Sequence, residues 1–81
     1  MVRVSYALHF KITFSKLDKS YKEKVEKILI KIINNPDIGK PMKYERKGTR
    51  EMYIKPFRCS YAYIKAEDKI IILDLYHKKK Q

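Results

Sequence analysis

An amphipathic stripe between residues 21 and 33 is the feature that most constrains the fold of this chain. Its apolar side chains recur at intervals of three and four residues, which places them on one face of a helix: Tyr21, Val25, Ile28, Leu29, Ile32 and Ile33. The segment Ser20-Tyr21-Lys22-Glu23 has the spacing of a capping box, so we expect the helix to begin there. Asn34-Asn35-Pro36 is expected to end it. Such a helix must bury its apolar face against a second layer.

The segment before this helix fits two patterns. Apolar residues alternate as in a strand at Val2, Val4, Tyr6 and Leu8, and the alternation continues formally to residue 14. An overlapping set also fits one face of a helix: Phe10, Phe14, Leu17 and Tyr21. We favour a strand over Val2–Ala7, followed by a helix that extends to Asp18.

The C-terminal half favours strands, because it is rich in β-branched and aromatic residues. We predict three of them, at Glu51–Lys55, Arg58–Lys65 and Lys69–Tyr76. Pro56 lacks an N–H donor and is expected at a bend or an edge between the first two strands. Ala66-Glu67-Asp68 is the predicted tight connection between the last two.

The order of these elements predicts the α+β class. We expect a small, twisted, mostly antiparallel sheet, formed by the N-terminal strand and the C-terminal three-strand meander. Two N-terminal helices are expected to pack against it. A chain of 81 residues is long enough for one modest core, so a single domain over residues 1–81 is predicted.

The charge of the chain favours an acidic partner. Lysine and arginine number 20 against nine aspartate and glutamate residues, which gives a formal net charge of +11. Release of counterions makes nucleic acid the natural match for such a surface. The alternative is a lysine-rich proteome from a hot or AT-rich organism, where charged surfaces are normal. The excess of lysine over glutamate weakens this alternative, because solubility or ion-pair networks would need a better balance.

The cysteine and histidine content and the apolar runs of the sequence indicate which features are not expected. Cys59 is the only cysteine, so neither an internal disulfide nor a cysteine metal cluster is expected. His9 and His77 lie far apart in the sequence, and we expect neither a metal nor a cofactor. No apolar run resembles a signal peptide or a membrane span, so cytoplasmic localisation without a membrane partner is expected.

Register in the last hairpin predicts which basic residues meet. If Glu67-Asp68 form a two-residue turn, Arg58 lies opposite His77, at the start of the Lys78-Lys79-Lys80 run. A one-residue slip would place Tyr76 opposite Arg58 instead. In either register Arg58 meets the beginning of the basic C-terminal segment.

Such a site has the groups needed for RNA cleavage without a metal. Attack of a ribose 2′-hydroxyl on the adjacent phosphate needs a base, a cation and an acid. Arg58 suits the cation role, and His77, Lys78 or Lys79 suits proton transfer. The other predicted RNA contacts are basic or aromatic: Lys47, Arg50, Lys55, Tyr61 and Lys80. Tyr61 or Tyr76 would stack a base or donate a proton. The structural alternative is that Arg58 pairs with Asp74 or Glu51.

Three short motifs resemble those of a known toxin family. Lys16-Leu17 leads into the amphipathic helix, and Phe57-Arg58-Cys59-Ser60-Tyr61 resembles a Tyr-Arg-x-x-Tyr pattern. The run Asp68–Tyr76 followed by His77-Lys78-Lys79 resembles a closing strand that ends in basic residues. Their order and spacing resemble the RelE/ParE superfamily of type II toxin–antitoxin modules, and RelE more than ParE.

The resemblance implies a function and partners. RelE toxins cleave mRNA in the ribosomal A site and are inhibited by a RelB-type antitoxin that wraps around them, so a toxin–antitoxin hetero-oligomer is expected. Arg58 matches the active-site arginine of the family, and Lys78 or Lys79 falls where a second catalytic cation sits. Arg50 and Lys55 lie in a strand that carries further basic residues. RelE proteins commonly have a tyrosine beyond the last strand, and this sequence has none there.

A second hypothesis follows from the missing tyrosine. A toxin with the same fold but without catalysis would block the ribosome, or would poison DNA gyrase as ParE proteins do. Site residues and not the fold distinguish these functions.

Overall fold

The computed structural model describes residues 2–43 and 48–77. Along the chain, it contains β1 (Arg3–Tyr6), α1 (Leu8–Ser15), α2 (Lys19–Asn34), β2 (Lys40–Pro41), β3 (Thr49–Ile54), β4 (Phe57–Ile64), a 3-10 turn (Lys65–Glu67) and β5 (Lys69–His77). Neither helix in these two ranges is long and apolar enough to cross a membrane.

The strands form one five-stranded mixed sheet in the order β1-β5-β4-β3-β2. β3, β4 and β5 are an antiparallel meander, and β1 lies parallel to β5. The predicted α+β fold, with two helices against a small and mostly antiparallel sheet, is confirmed. The two-residue strand β2, which pairs antiparallel with β3, was not predicted.

The core lies between α2 and one face of the sheet. Val25, Ile28 and Ile32 of α2 are fully buried, as the amphipathic stripe predicts. Phe10 comes from α1, and the sheet contributes the rest of the core: Phe57, Cys59, Tyr61, Ile70, Ile72 and Leu75. Burial, with a smaller contribution from Asp74 and Glu51, raises the pKa of the Cys59 thiol to about 12.

Both helix boundaries near residue 18 differ from the prediction. α1 ends at Ser15, and α2 begins at Lys19 and not at Ser20. The cap is Asp18, whose carboxylate accepts the Tyr21 backbone N–H at 2.9 Å. Ser20 donates its hydroxyl to the same carboxylate oxygen at 2.9 Å. The expected capping box at Ser20 is therefore wrong, because the residue two positions earlier takes the cap. The predicted end of α2 at Asn34 is confirmed.

The register of the β4–β5 hairpin follows the slipped alternative. The connection is longer than two residues, because the 3-10 turn and a left-handed Asp68 place Ile64 opposite Lys69. A bulge between the pairs Ser60↔Asp74 and Tyr61↔Ile72 then shifts the register by one residue. Arg58 consequently lies opposite Tyr76, and His77 lies opposite Phe57. The predicted pairing of Arg58 with His77 is wrong.

The Asp18 cap should make the stability of the protein depend on pH. Hydrogen bonds, first from the Tyr21 N–H and then from Ser20, lower the pKa of Asp18 below 3.8 in the folded state. A lowered folded pKa adds stability above pH 3.8, and this stability is lost as the pH falls through the folded value. We expect Asp18→Ala to lower the melting temperature at neutral pH.

The loss of melting temperature caused by Asp18→Ala should be smaller in strongly acidic buffer, where wild-type Asp18 is protonated. Thermal melts followed by circular dichroism at both pH values measure it. Ser20→Ala is the matched control and should cost less, because Asp18 keeps its bond to the Tyr21 N–H. A deficit for Asp18→Ala that is equal at both pH values would contradict the cap as its cause.

Candidate functional site

The sheet has an outer face, opposite α2, where polar side chains lie in two cross-strand rows. Alternation along β4 turns Arg58 and Ser60 to this face, because their neighbours Phe57, Cys59 and Tyr61 are buried in the core. Pairing with β3 and β5 then gives one row of Tyr53, Arg58 and Tyr76, and a second row of Glu51, Ser60 and Asp74. An arginine between two tyrosines therefore lies beside a serine between two carboxylates.

Glu51 connects the two rows. Its Oε1 lies 3.5 Å from Arg58 Nη1, and its Oε2 accepts the hydroxyl of Tyr76. The Glu51 side chain is only 11% exposed, compared with 32% for Arg58. The Arg58 guanidinium also lies 5.8 Å from the centre of the Tyr53 ring. The sequence alternative in which Arg58 pairs with Glu51 is the arrangement that the structure has.

A groove of about 540 Å³ opens beside Arg58. Glu51, Tyr53 and Arg58 form one wall, and the short segment from Lys40 to Lys43 forms the other. Lys40 lies on the groove side because β2 pairs it with Glu51. Neither Lys40 nor Lys43 forms an ion pair with a described residue. The groove therefore carries cationic groups on two sides, which suits an anionic ligand.

Tyr61 does not lie at this groove. Its side chain is 0% exposed in the core, where its hydroxyl donates to the Pro36 carbonyl at 2.8 Å and accepts the Gly39 N–H at 2.9 Å. Burial raises the pKa of Tyr61, although the Gly39 bond and Arg50 oppose the rise. A ring in this position cannot stack a base, so the sequence prediction of Tyr61 as an RNA contact is wrong.

Arg50 also faces the core side and binds the same loop. Its Nη1 donates to the carbonyls of Asp37 at 3.0 Å and Gly39 at 2.8 Å, and its Nη2 lies 3.2 Å from the Asp37 carboxylate. We call Arg50 and Tyr61 together the loop brace. Arg50 therefore has a structural role in the described structure, and its contact with RNA stays a prediction.

The other predicted site residues do not join Arg58 in the described structure. His77 lies on the core side, where its ring meets the Phe57 ring edge-on with 5.6 Å between centres. Lys55 is exposed at the end of β3, in the turn that contains Pro56. The remaining predictions fall on residues outside the described ranges: Lys47, Lys78, Lys79 and Lys80.

Sequence reasoning missed several residues of the outer face. Lys40 and Lys43 were not among the predicted site residues, because β2, which places them beside β3, was not predicted. The role of His9 was also missed. Its Nε2 lies 3.1 Å from the Asp74 carboxylate. This contact forms because α1 packs along β5. The position of Glu51 follows from the register, which pairs it with Ser60 one row from Arg58.

Comparison with known families identifies the chain. The family model of the ParE toxin of type II toxin–antitoxin systems matches residues 6–81. The chain belongs to the ParE toxin family. The protein is thus a toxin of a type II toxin–antitoxin system, within the RelE/ParE superfamily that its motifs resemble. A search of curated protein sequences finds no significant match.

Solved structures of this superfamily share the fold of the toxin. A chain of the RelBE2 toxin–antitoxin complex from Mycobacterium tuberculosis superposes with a TM-score of 0.84 at 20% identity, over 94% of this chain and 96% of that one. The RelBE complex of E. coli gives 0.81 at 13% identity, over 95% and 96%. The RelE–RelB complex of Pyrococcus horikoshii gives 0.76 at 16% identity, over 99% and 98%. At these identities the likeness concerns the fold alone.

Because the Tyr61 hydroxyl is part of the loop brace, we expect its loss to destabilise the protein. Tyr61→Phe should lower the free energy of unfolding by about 1–3 kcal/mol, because it leaves the Gly39 N–H and the Pro36 carbonyl without their partner. Urea unfolding measures the change. Tyr63→Phe is the matched control, since the Tyr63 hydroxyl has no hydrogen bond to a described residue. Equal losses in the two variants would contradict the brace.

Proposed function

We propose that this toxin inhibits translation by cutting mRNA on the ribosome. The observation that carries the proposal is the position of Arg58, which lies between Tyr53 and Tyr76 on the wall of a groove with Lys40 and Lys43 opposite. Arginine binds phosphate through a planar fork and keeps its charge at any physiological pH. Tyr53, whose residue is 45% exposed, offers a ring on which a base can stack.

The outer face supplies a cation, a base and an acid for the reaction. In our assignment Glu51 takes the proton of the ribose 2′-hydroxyl as its oxygen attacks the phosphate, and Arg58 binds the phosphate oxygens on which charge develops. The Tyr76 hydroxyl gives its proton to the leaving 5′-oxygen. The proton held by Glu51 then returns to Tyr76 along their hydrogen bond, which restores both groups.

This assignment changes the roles proposed from the sequence. Tyr76 takes the acid role in place of His77, because the bulge in β5 puts His77 on the opposite side of the sheet. Catalytic roles for Lys78 and Lys79, and an RNA contact for Lys47, Lys55 and Lys80, remain predictions. Substrate binding also requires a rearrangement, since a phosphate must share or displace the Glu51 contact that Arg58 makes in the free protein.

A second function is favoured by two observations. The matching family model is that of ParE toxins, and the charge of Arg58 is already balanced by Glu51. A balanced arginine suits a toxin that does not cut RNA. Such a toxin would act by poisoning DNA gyrase or by occupying the ribosome.

The proposed partner that silences the toxin is a RelB-type antitoxin. Among the solved structures with this fold, two are described as toxin–antitoxin complexes and another as a RelE–RelB complex. A net charge of +11 favours an acidic partner, and a segment that folds on binding could cover the groove. Together, toxin and antitoxin would form a hetero-oligomer.

Primer extension on mRNA translated in vitro tests the nuclease. Wild type should produce cuts in ribosome-bound mRNA. Arg58→Ala should lower the cutting rate by about 10²–10³-fold, and Glu51→Gln by about 10²-fold or more. Lys24→Gln/Lys27→Gln is the control, because it removes two charges from exposed positions of α2, on the other side of the sheet. It should cut at close to the wild-type rate.

Two outcomes of this experiment would favour the second function. Translation that stops while the mRNA stays intact would indicate a ribosome block. Trapped complexes of cleaved DNA with gyrase, formed by wild type in a parallel assay, would indicate a ParE-type activity.

Co-expression tests the antitoxin. The toxin should co-purify with the small acidic protein encoded next to it and should lose its toxicity in that complex. Raised salt should slow association, since it screens the charge attraction that assists the encounter. A toxin that stays fully active beside this neighbour would count against the proposed partner.

A further inference from the structure

The loop brace holds the backbone of the connection between α2 and β3. Tyr61 binds the Pro36 carbonyl and the Gly39 N–H, while Arg50 binds the carbonyls of Asp37 and Gly39. Two side chains from the middle of the sheet therefore fix four backbone groups within four consecutive residues. Fixing backbone so densely leaves the next residues of the chain little freedom of position.

Gly39 lies directly against the Tyr61 ring. A Cβ atom at Gly39 would come within 2.6 Å of the Tyr61 hydroxyl oxygen and 2.8 Å of a ring carbon. The backbone is thus packed on the ring as well as hydrogen-bonded to it. Glycine is required here by the lack of space.

β2 extends this fixed segment to the groove. Lys40 pairs with Glu51 and Pro41 with Arg50, and the Met42 N–H donates to the Thr49 carbonyl at 3.0 Å. The same strand residue, Arg50, therefore braces the loop through its side chain and pairs with β2 through its backbone. The backbone that carries Lys40 and Lys43 therefore runs beside Glu51, Tyr53 and Arg58 along the groove.

We propose that Lys40 and Lys43 form a second phosphate subsite for single-stranded RNA, and that Tyr61 and Arg50 position it. Because the subsite takes RNA as its ligand, it rests on the function proposed above. Arg58 holds the phosphate that reacts, and the two lysines hold a neighbouring phosphate of the same strand. Tyr53 lies between them in the groove wall, where a base can stack. Lysine suits this role because it acts as a point charge that needs no fixed angle.

Salt dependence of RNA binding tests the subsite. Fluorescence anisotropy with a short single-stranded oligoribonucleotide gives the slope of log K against log salt for the whole chain. Each neutralised phosphate on a single strand contributes about 0.7 to that slope. Lys40→Gln/Lys43→Gln removes the contact with one phosphate and should therefore reduce the slope by about 0.7. Lys40→Arg/Lys43→Arg should restore it.

Lys24→Gln/Lys27→Gln removes the same charge away from the groove and is the control. It should leave the slope within a few tenths of the wild-type value. The subsite would be overturned by equal slopes in the two Lys→Gln pairs. A larger loss of slope on duplex DNA than on single-stranded RNA would overturn RNA as its ligand.

A double-mutant cycle tests the positioning role of the brace. Tyr61→Phe should weaken RNA binding and reduce the salt slope, although it removes no charge. Added to Lys40→Gln/Lys43→Gln, it should weaken binding no further, because the lysines it positions are already gone. Arg50→Lys, which keeps the charge but loses the planar fork, should behave like Tyr61→Phe. Lower melting temperatures with an unchanged slope in both variants would reduce the brace to a structural role.

The subsite and the proposed reaction fail separately. Anisotropy measures binding without a ribosome, whereas primer extension measures cutting. Loss of slope in Lys40→Gln/Lys43→Gln without any mRNA cutting by wild type would keep the subsite and remove the nuclease. Cutting that depends on Arg58 with an unchanged slope in Lys40→Gln/Lys43→Gln would keep the nuclease and remove the subsite.

Discussion

One extra residue in β5 decides the composition of the outer face. The bulge between Tyr61↔Ile72 and Ser60↔Asp74 shifts every later pair by one position. Because side chains alternate between the faces, the shift turns Tyr76 toward Arg58 and sends His77 to the core side. Tyr76 can then donate to Glu51, which in turn holds Arg58. Without the bulge, the arginine and the tyrosine would not share a row.

The architecture was predictable from the sequence because its signals are periodic. The stripe of α2 and the alternation of the last strands each repeat several times, so small errors do not change the element type. The resemblance of the Arg58 and His77 motifs added the superfamily, which the ParE family model supports. The positions of Tyr61 and Arg50 were not predictable in this way. Both are residue types that commonly contact RNA, but their partners are backbone atoms of a distant loop.

The predicted site differs from the observed one at positions where a shift of a single residue changes the face on which a side chain lies. Choosing between a two-residue turn and the observed 3-10 connection required the backbone of Asp68, which adopts a left-handed conformation at φ 50°. No glycine or proline lies at the bulge to indicate it in the sequence. β2 has only two residues, too few to show a period. The turn and the bulge place Tyr76 beside Arg58, and β2 places Lys40 and Lys43 at the groove. None of these three local features leaves a repeating pattern in the sequence.

The charge of the chain and the charge of its outer face have separate roles. The net charge of +11 produces a long-range attraction for any polyanion. In the described centre of the outer face, however, Glu51 balances Arg58, and Asp74 lies beside His9. Attraction therefore comes from cations around this centre, including the lysines that β2 brings to the groove. In the proposed complex with RNA, a phosphate must compete with the Glu51 carboxylate for Arg58, so Glu51 would select for ligands held by further contacts. That selection is the reason a braced lysine pair beside Arg58 matters more than the total charge.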